Sequence, residues 1–533
     1  EFGRTILQNF LREVAAFGDG VSVRLQPFTP AKPTTRKFMW HDLGPIVSPI
    51  ALVEAQSGEA QRRPMLLESS LVHAGRSRFT FVEVPDVADR SVTFSLTDGL
   101  LREFTGPVCV RASNTSIFDF LEAKKEPSAL IGGPPPFDFV GGFIGWFGYE
   151  LKAETLGVTS PDASTPDAAF REVTQFFAVD HAEGRLYACL SLPLRATEAH
   201  KEAGIRMLAA IADRAAQHVA KATSPVSSDP VTFAFRHDPL NYIDLIRACR
   251  DEIKAGESYE LCLTNMISTE ARFDAWAFYK LLRERNPSIY GGYLNIGGTE
   301  VASSSPDRFL RLKRDNILES KPIKGTAPRG TTEAMDRTLK QELRDSEKER
   351  AENIMIVDLV RHDFSGVAVP GSIEVPNLCN IESYPAVHQM VSTVQARLRP
   401  DLSTADALRA CFPGGSMTGA PKIRSVQILD RLENGPRGVY SGALGWVGYD
   451  GQLDLSIVIR TLVKQGGVSS IGCGGAITYL SDPAAELEEI MTKSRALVRT
   501  RSELITGDPE NHVFIPSKQQ DPTAPDTAFV RAE

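Results

Sequence analysis

The stretch K-P-I-K-G-T-A-P-R-G, residues 321–330, decides how this chain is read. Its second lysine, Lys324, is wedged between an apolar Pro-Ile pair and a Gly-Thr turn, an unusual setting for a solvated charge. Burial there would disfavour the ammonium form, lower the pKa and leave free amine available as a nucleophile. Gly325 and Thr326 remove bulk and offer backbone N–H groups to an anion. A surface lysine beside a turn fits the same ten residues, since most lysines are solvated. The flanking sequence has to decide between the two.

Downstream, S-E-K-E-R-A-E-N-I-M-I-V-D-L-V (residues 346–360) is a charged turn entering an apolar helical stretch, with Glu352 where solvent gives way to core. A second helix is expected at S-D-P-A-A-E-L-E-E-I-M-T-K (residues 481–493), where Asp482 is a good N-cap and Pro483 suits the first helical position. Spacings of three and four then put Glu486, Glu489 and Lys493 on one face. Carboxylates from two separate helices suit a hard divalent cation such as Mg2+, which takes one or two carboxylates, waters and a substrate oxygen. Glu489 and Lys493 also fit a plain i,i+4 surface pair. Arg460, inside the apolar run I-V-I-R-T (residues 457–461), has the planar fork that grips a carboxylate, whether a ligand's or an internal one. F-P-G-G-S-M-T-G-A-P-K (residues 412–422) is a Gly-rich loop that does not match a phosphate-binding P-loop; Ser416, Thr418 and Lys422 are its candidate polar contacts.

The 533 residues exceed one ordinary domain, and 42% apolar with 24% charged residues is a globular composition. A net charge of −8 argues against general affinity for nucleic acid or an anionic membrane surface. No apolar run approaches the roughly 20 residues that span a bilayer. Seven scattered cysteines without a C-x-x-C read as reduced thiols rather than a cysteine metal site. The chain divides into a short amphipathic opening (1–16), a Pro-containing linker (17–36), a first folded part (37–230) ending in S-P-V-S-S-D-P, and a second part (231–505) with every strong motif. Residues 506–533, rich in Pro, Asp, Thr and Gln, are expected to be disordered. No internal repeat stands out.

The decamer resembles the P-I-K-G-T signature of chorismate-utilising enzymes, and in particular the large subunits of 4-amino-4-deoxychorismate synthases; the resemblance covers roughly residues 40 to 500. It implies an α+β fold in which two large, mainly antiparallel sheets pack together with helices outside. It implies that Lys324 attacks C2 of chorismate, where anthranilate synthases carry alanine. Glu352 and Glu489 match two Mg2+-ligating glutamates and Glu486 a third that acts through water, beside Lys493. Tyr440 (in R-G-V-Y-S-G) and Arg460 match the pair holding the enolpyruvyl carboxylate, and Gly474, Gly475 and Ala476 match the backbone cradle beside it. Asp307, in S-S-S-P-D-R-F-L, stands where relatives have a proton-transferring Glu, with a reach one methylene shorter. Ammonia would come from a glutamine amidotransferase domain, of which residues 1–16 resemble the closing helix, so the chain reads as part of a fused polypeptide. A separate aminodeoxychorismate lyase would complete p-aminobenzoate for folate. The compartment implied is the cytosol, with a plastid also compatible.

Three further departures matter. The catalytic His of many relatives is Gln389 here, and His388, one residue earlier on a strand, would face the other side. Ala476 replaces the glycine that ends the cradle. Leu67, Glu68 and Ser69, with N-P-S-I-Y (residues 286–290), resemble the tryptophan pocket of anthranilate synthases, but Ile289 replaces a proline; a structural tryptophan fits better than feedback control. The rival readings are an anthranilate synthase, an isochorismate or salicylate synthase, and an inactive chorismate- or tryptophan-binding regulatory module. The second rival needs a lysine base where this chain has Glu260.

Overall fold

The computed structural model describes residues 36–56, 62–71, 77–219, 225–270, 272–384 and 387–516. The expected amidotransferase-like opening, and the linker as far as residue 35, lie outside the described residues. Two sheets organise the rest, one of 14 strands and one of 12, almost wholly antiparallel. Alternation along one strand explains the layering. In Gly142–Phe147 (G-F-I-G-W-F), Phe143 and Phe147 join the cluster under the outer helices, while Ile144 and Trp146 join the cluster between the sheets. A third cluster fills the outer face of the larger sheet beneath its helices. Two antiparallel sheets face to face with helices outside is the α+β arrangement expected from the sequence.

Neither half of the chain owns a sheet. Leu66–Glu68 pairs with Tyr290–Ile296 in the larger sheet, and Gly142–Phe147 pairs with Ala443–Gly448 in the smaller. Outward from the first junction, the early strands run Leu66–Glu68, Phe79–Glu83, Gln175–Asp180, Arg185–Pro193, Arg36–Pro45. The late strands run Tyr290–Ile296, Thr299–Ser305, Thr461–Gln465, Val468–Ile477, Glu260–Glu270, the same order within each half. The structure thus contains a duplication that the sequence reading passed over. Its one sequence trace is the pair G-G-F-I-G-W-F-G-Y-E (141–150) and S-G-A-L-G-W-V-G-Y-D (441–450), whose Gly145 and Gly445 sit opposite each other. A second correction concerns the tail. Helix Pro483–Thr506 is followed by a strand, His512–Pro516, that pairs in parallel with Val231–Phe235, so order extends to Pro516. Among the described residues no helix is long and apolar enough to cross a membrane.

One buried ion pair fastens the segments that build the seam between the sheets. Arg437 donates through Nε and Nη2 to Glu433 at 2.8 and 2.6 Å, and both side chains are almost fully buried. The same guanidinium donates to the carbonyls of Met417 (2.7 Å) and Cys262 (2.9 Å), while Glu433 accepts the Thr264 N–H at 2.8 Å. Glu150, on the first half of the chain, accepts the N–H groups of Arg437 and Gly438, each at 2.8 Å. Burial holds Glu150 up at about 7, with nearby Lys152 and those N–H groups working against it. Arg437→Met would strand Glu433 without its cation and two carbonyls without a donor. We expect a loss of about 3–5 kcal/mol, read as a lower urea midpoint at unchanged slope.

Candidate active site

Lys324 lies on Ile323–Pro328, the edge strand of the smaller sheet. In its pairing with Val387–Arg397, Ile323 stands opposite Val391 and Thr326 opposite Gln389, so the lysine strand spends one extra residue. Such a bulge bends the strand and re-aims a side chain. Gly325 makes it possible: its φ is +83°, and a Cβ there would come within 2.9 Å of Glu349 Oε2 and 3.0 Å of Leu343. The lysine consequently points across the seam. Its Nζ donates to Oε1 of Glu260 at 3.0 Å and lies 3.9 Å from Glu352. Glu260 opens Glu260–Glu270 in the other sheet, is buried, and leaves Oε2 buried without a hydrogen-bond partner.

This geometry corrects the expected protonation state. Burial does push the lysine toward the free amine, but Glu260 and Glu352 outweigh it and hold Lys324 well above the ordinary lysine range. It rests as an ammonium. Because the folded lysine keeps its proton more tightly than an unfolded one, the pair stabilises the fold fully below about pH 10.4. That contribution fades as pH climbs through the raised value.

The carboxylates arrive on two helices, as expected. Glu352 sits in Glu347–Ser365, where its neighbour Asn353 accepts from the Ser392 hydroxyl and donates to the Met390 carbonyl at 3.4 Å, locking that turn onto the strand that pairs with Lys324's. Pro483–Thr506 is capped by Asp482, which accepts from the N–H groups of Ala484 and Ala485. Glu486 is buried and accepts the Ser481 hydroxyl at 2.7 Å; burial, with Glu489 adding to it, raises its pKa. Glu489 pairs with Lys493 at 2.6 Å, and this lysine overrides burial to keep its carboxyl low. Lys493 Nζ also donates to the Gly474 carbonyl at 3.1 Å, tying the carboxylate helix to the cradle strand. Burial lifts Glu352 to about 6, although Lys324 opposes it. Lys348, 3.8 Å from Glu352, feels Glu352, Glu486 and Glu489 together. Among the described residues no three His, Cys, Asp or Glu side chains are grouped tightly enough to hold a metal ion.

Glycines shape the cradle wall. Tyr440 is buried with its ring flat against Gly472, where a Cβ would strike the ring at 2.1 Å. Gly474 approaches the Leu263 carbonyl, and Gly475 faces Glu486 Oε2; Ala476 stands opposite Cys262. Arg460 has a left-handed backbone, φ +49°. Its guanidinium makes no hydrogen bond or salt bridge with a described residue. Burial lowers its pKa, and the charge of Asp307 partly compensates. A desolvated guanidinium of this kind is primed for an anion. Asp307 and Ser416 line one small cavity of about 20 Å3 with Gly414, Gly415 and Ser320. Thr326 is exposed, with its side chain committed to no described partner, and Gln389 is buried.

His388 is excluded from the cleft, as strand parity requires. It is buried between the Ser383 hydroxyl at 2.8 Å and Asp336 at 3.0 Å. Leu67, Glu68 and Ser69 line a separate cavity of about 380 Å3 with Arg78, Tyr290 and Trp446. Glu68 is already committed there to Arg283 (2.6 and 2.8 Å) and to the Tyr279 hydroxyl (2.8 Å). The sequence reading noticed Glu260 only as a missing lysine base, and Lys348 and the Glu433–Arg437 pair not at all. Only Arg437 had a local signal, its place in R-G-V-Y-S-G.

Lys324, largely enclosed, faces two carboxylates across the seam between the sheets, and the guanidinium of half-buried Arg460 has no hydrogen-bond or ion-pair partner among the described residues. Residues 91–499 match the family described as chorismate binding enzyme. The chain belongs to that family. It is similar to an aminodeoxychorismate synthase of Streptomyces pristinaespiralis, 43% identical over 80% of this chain and 60% of that protein. It is also similar to aminodeoxychorismate synthase component 1 of Klebsiella aerogenes, 34% identical over 80% of this chain and 91% of that one. Among solved structures, anthranilate synthase component I of Streptococcus pneumoniae superposes with a TM-score of 0.68 at 26% identity, covering 80% of this chain and 93% of that one. The chain spans about half the length of several family members named aminodeoxychorismate synthase.

The lysine environment has a direct chemical readout. At pH 9, Lys324 should react with an acylating amine reagent more slowly than exposed lysines, as read by peptide mass mapping. Glu260→Gln should speed its labelling about tenfold for each pKa unit lost; equal rates in parent and variant would contradict the pairing.

Proposed function

We propose that this chain is the synthase component of an aminodeoxychorismate synthase, converting chorismate and ammonia to 4-amino-4-deoxychorismate and water. The carrying observation is Lys324, turned across the seam by its bulge to lie 3.0 Å from Glu260 and 3.9 Å from Glu352. The similar proteins of that name support the reading. In this scheme Lys324 first gives a proton to Glu260, the nearest acceptor, whose second oxygen is unbonded. The freed amine bonds to C2, the ring double bonds shift, and the C4 hydroxyl departs as water with a proton relayed from Asp307. Ammonia then bonds to C4, the double bonds shift back, and the C2–N bond breaks to return the lysine.

Arg460, Tyr440 and the N–H groups of Gly474, Gly475 and Ala476 hold the enolpyruvyl carboxylate in this reading. Gly325, Thr326, Ser416 and Lys493 complete the binding surface. Glu352 and Glu489, with Glu486 behind a water, would hold Mg2+. When bound, the ion supplies positive charge to the ring carboxylate and to the leaving oxygen. The donor set has the chemistry a hard cation takes, all carboxylates, with Glu352 lifted to about 6 by burial and by the carboxylates of Glu349 and Glu260 against the pull of Lys324. Ammonia would come from a glutamine amidotransferase domain, and a lyase acting on the product would yield p-aminobenzoate.

With chorismate, Mg2+ and ammonium at alkaline pH, the chain should form a non-fluorescent amino product that keeps the enolpyruvyl mass. That product should become p-aminobenzoate on adding a lyase. Lys324→Ala should lower its formation by at least a thousandfold while chorismate still binds. Fluorescent anthranilate with released pyruvate would instead establish the anthranilate synthase reading, and ligand binding without turnover in the parent would establish a regulatory module.

A further inference from the structure

We propose that Glu150 is a positioning residue for substrate: its ionised carboxylate fixes the turn that sets Tyr440, and taking up a proton loosens that turn. This rests on the proposed synthase function, in which Tyr440 holds the enolpyruvyl carboxylate. It adds a residue from the first half of the chain to a cleft whose side chains all come from the second.

Residues 437–442 (R-G-V-Y-S-G) do not run as a regular strand. Gly438 and Ser441 are both left-handed, with φ of +64° and +66°, and at Ser441 that is a conformation a side chain resists. Such a segment keeps its shape only through what holds it. One end is held by the second half of the chain: the Ser441 N–H donates to the Val458 carbonyl, and the Val458 N–H to the Gly442 carbonyl, each at 2.9 Å. The other end is held by the first half. Glu150 Oε1 accepts the Arg437 N–H and Oε2 the Gly438 N–H, each at 2.8 Å. The Tyr149 N–H donates to the Gly438 carbonyl at 2.8 Å. Two consecutive residues of a buried turn thus grip two consecutive residues of the other half. Tyr440 is two positions further on, with its ring against Gly472. A rotation at Gly438 is carried directly to that ring.

The grip needs the ionised form. A carboxylate offers one acceptor oxygen to each N–H, and both bonds are charge-assisted. A neutral carboxyl keeps one carbonyl oxygen, while its hydroxyl brings a donor into a space already lined by donors. Burial holds Glu150 up at about 7; Lys152 and the Arg437 N–H work against it, and Asp167 adds to it. Lys152 divides its charge with Asp430, 3.2 Å away. On the facing side Arg236 feels Glu150, and the Arg437 guanidinium is neutralised by Glu433. Glu150 is therefore ionised above about pH 7 and protonated below it. Since the ionised form grips the turn, chorismate should bind more tightly at pH 8 than at pH 6.

The test is calorimetry of chorismate with Mg2+ on the full chain carrying Lys324→Ala, which removes turnover. The dissociation constant should rise about fivefold or more from pH 8 to pH 6. Adding Glu150→Gln, which keeps one acceptor oxygen and replaces the other by a donor, should give the weaker binding at both pH values. Asp167→Asn removes a negative charge but keeps an oxygen for the Leu96 N–H. It should move the midpoint to lower pH and leave affinity at pH 8 unchanged, a shift that a merely structural role for Glu150 would not produce. An unaltered pH dependence in Glu150→Gln, or a midpoint that ignores Asp167→Asn, would overturn the proposal. Hydrogen exchange of the unliganded chain separates this outcome from failure of the function reading. With intrinsic rates taken out, the peptide covering residues 437–442 should exchange severalfold faster in Glu150→Gln, and in the parent at pH 6, than in the parent at pH 8. Faster exchange in a chain that binds no chorismate would leave the proton-sensitive turn standing and sink the function reading; unchanged exchange would overturn the turn itself.

Discussion

The salt bridge between Lys324 and Glu260 joins two sheets, and much of the local structure exists to let it form. The lysine comes from an edge strand of one sheet and the carboxylate from the first residue of a strand in the other. A regular strand would carry the lysine along its own sheet. The extra residue in the pairing, accommodated by Gly325 with a backbone conformation that side chains resist, turns it across the gap. On the facing side Glu260 is carried by a strand held in place through the carbonyl of Cys262 and the N–H of Thr264, both bound by the Arg437–Glu433 pair. The buried pair is thus less a source of stability than a device that fixes which groups meet.

Charge balance follows from that meeting. Carboxylates from two helices and the Glu260 strand face Lys324, Lys348 and Lys493, while Arg460 feels the charge of Asp307. The lysines thus lie among carboxylates, whereas the Arg460 guanidinium has no ion-pair partner among the described residues. A small dianion would find a counter-charge on each, and Glu260 is the nearest acceptor for the Lys324 proton.

Features set by nearest neighbours in the chain were legible. Asp482 and Pro483 began a helix because an N-cap carboxylate followed by proline has few other uses, and period-two alternation was enough to turn His388 away from the cleft. The layered α+β fold followed from family motifs rather than from periodicity. Features set by distant residues were not legible. The protonation state of Lys324 was read with the wrong sign because its surroundings were taken as apolar, whereas the deciding charge lies 64 residues earlier in the chain. The order of residues 512–516 depends on a partner strand near residue 231, and polar composition alone cannot register that pairing. The duplication escaped notice because only the two central strands, buried on both faces and closely apposed at glycine, keep a shared sequence.

The most direct measurement is rapid quenching of the chain with chorismate and Mg2+ in the absence of ammonia, followed by mapping of the modified peptide by mass spectrometry. The account predicts that the peptide containing Lys324 gains the mass of chorismate less one water. It also predicts that Glu260→Gln slows the appearance of this adduct without weakening chorismate binding to the same degree. Turnover with no adduct on Lys324, or an adduct whose rate ignores Glu260, would contradict the claim that this pair is the centre of the chemistry.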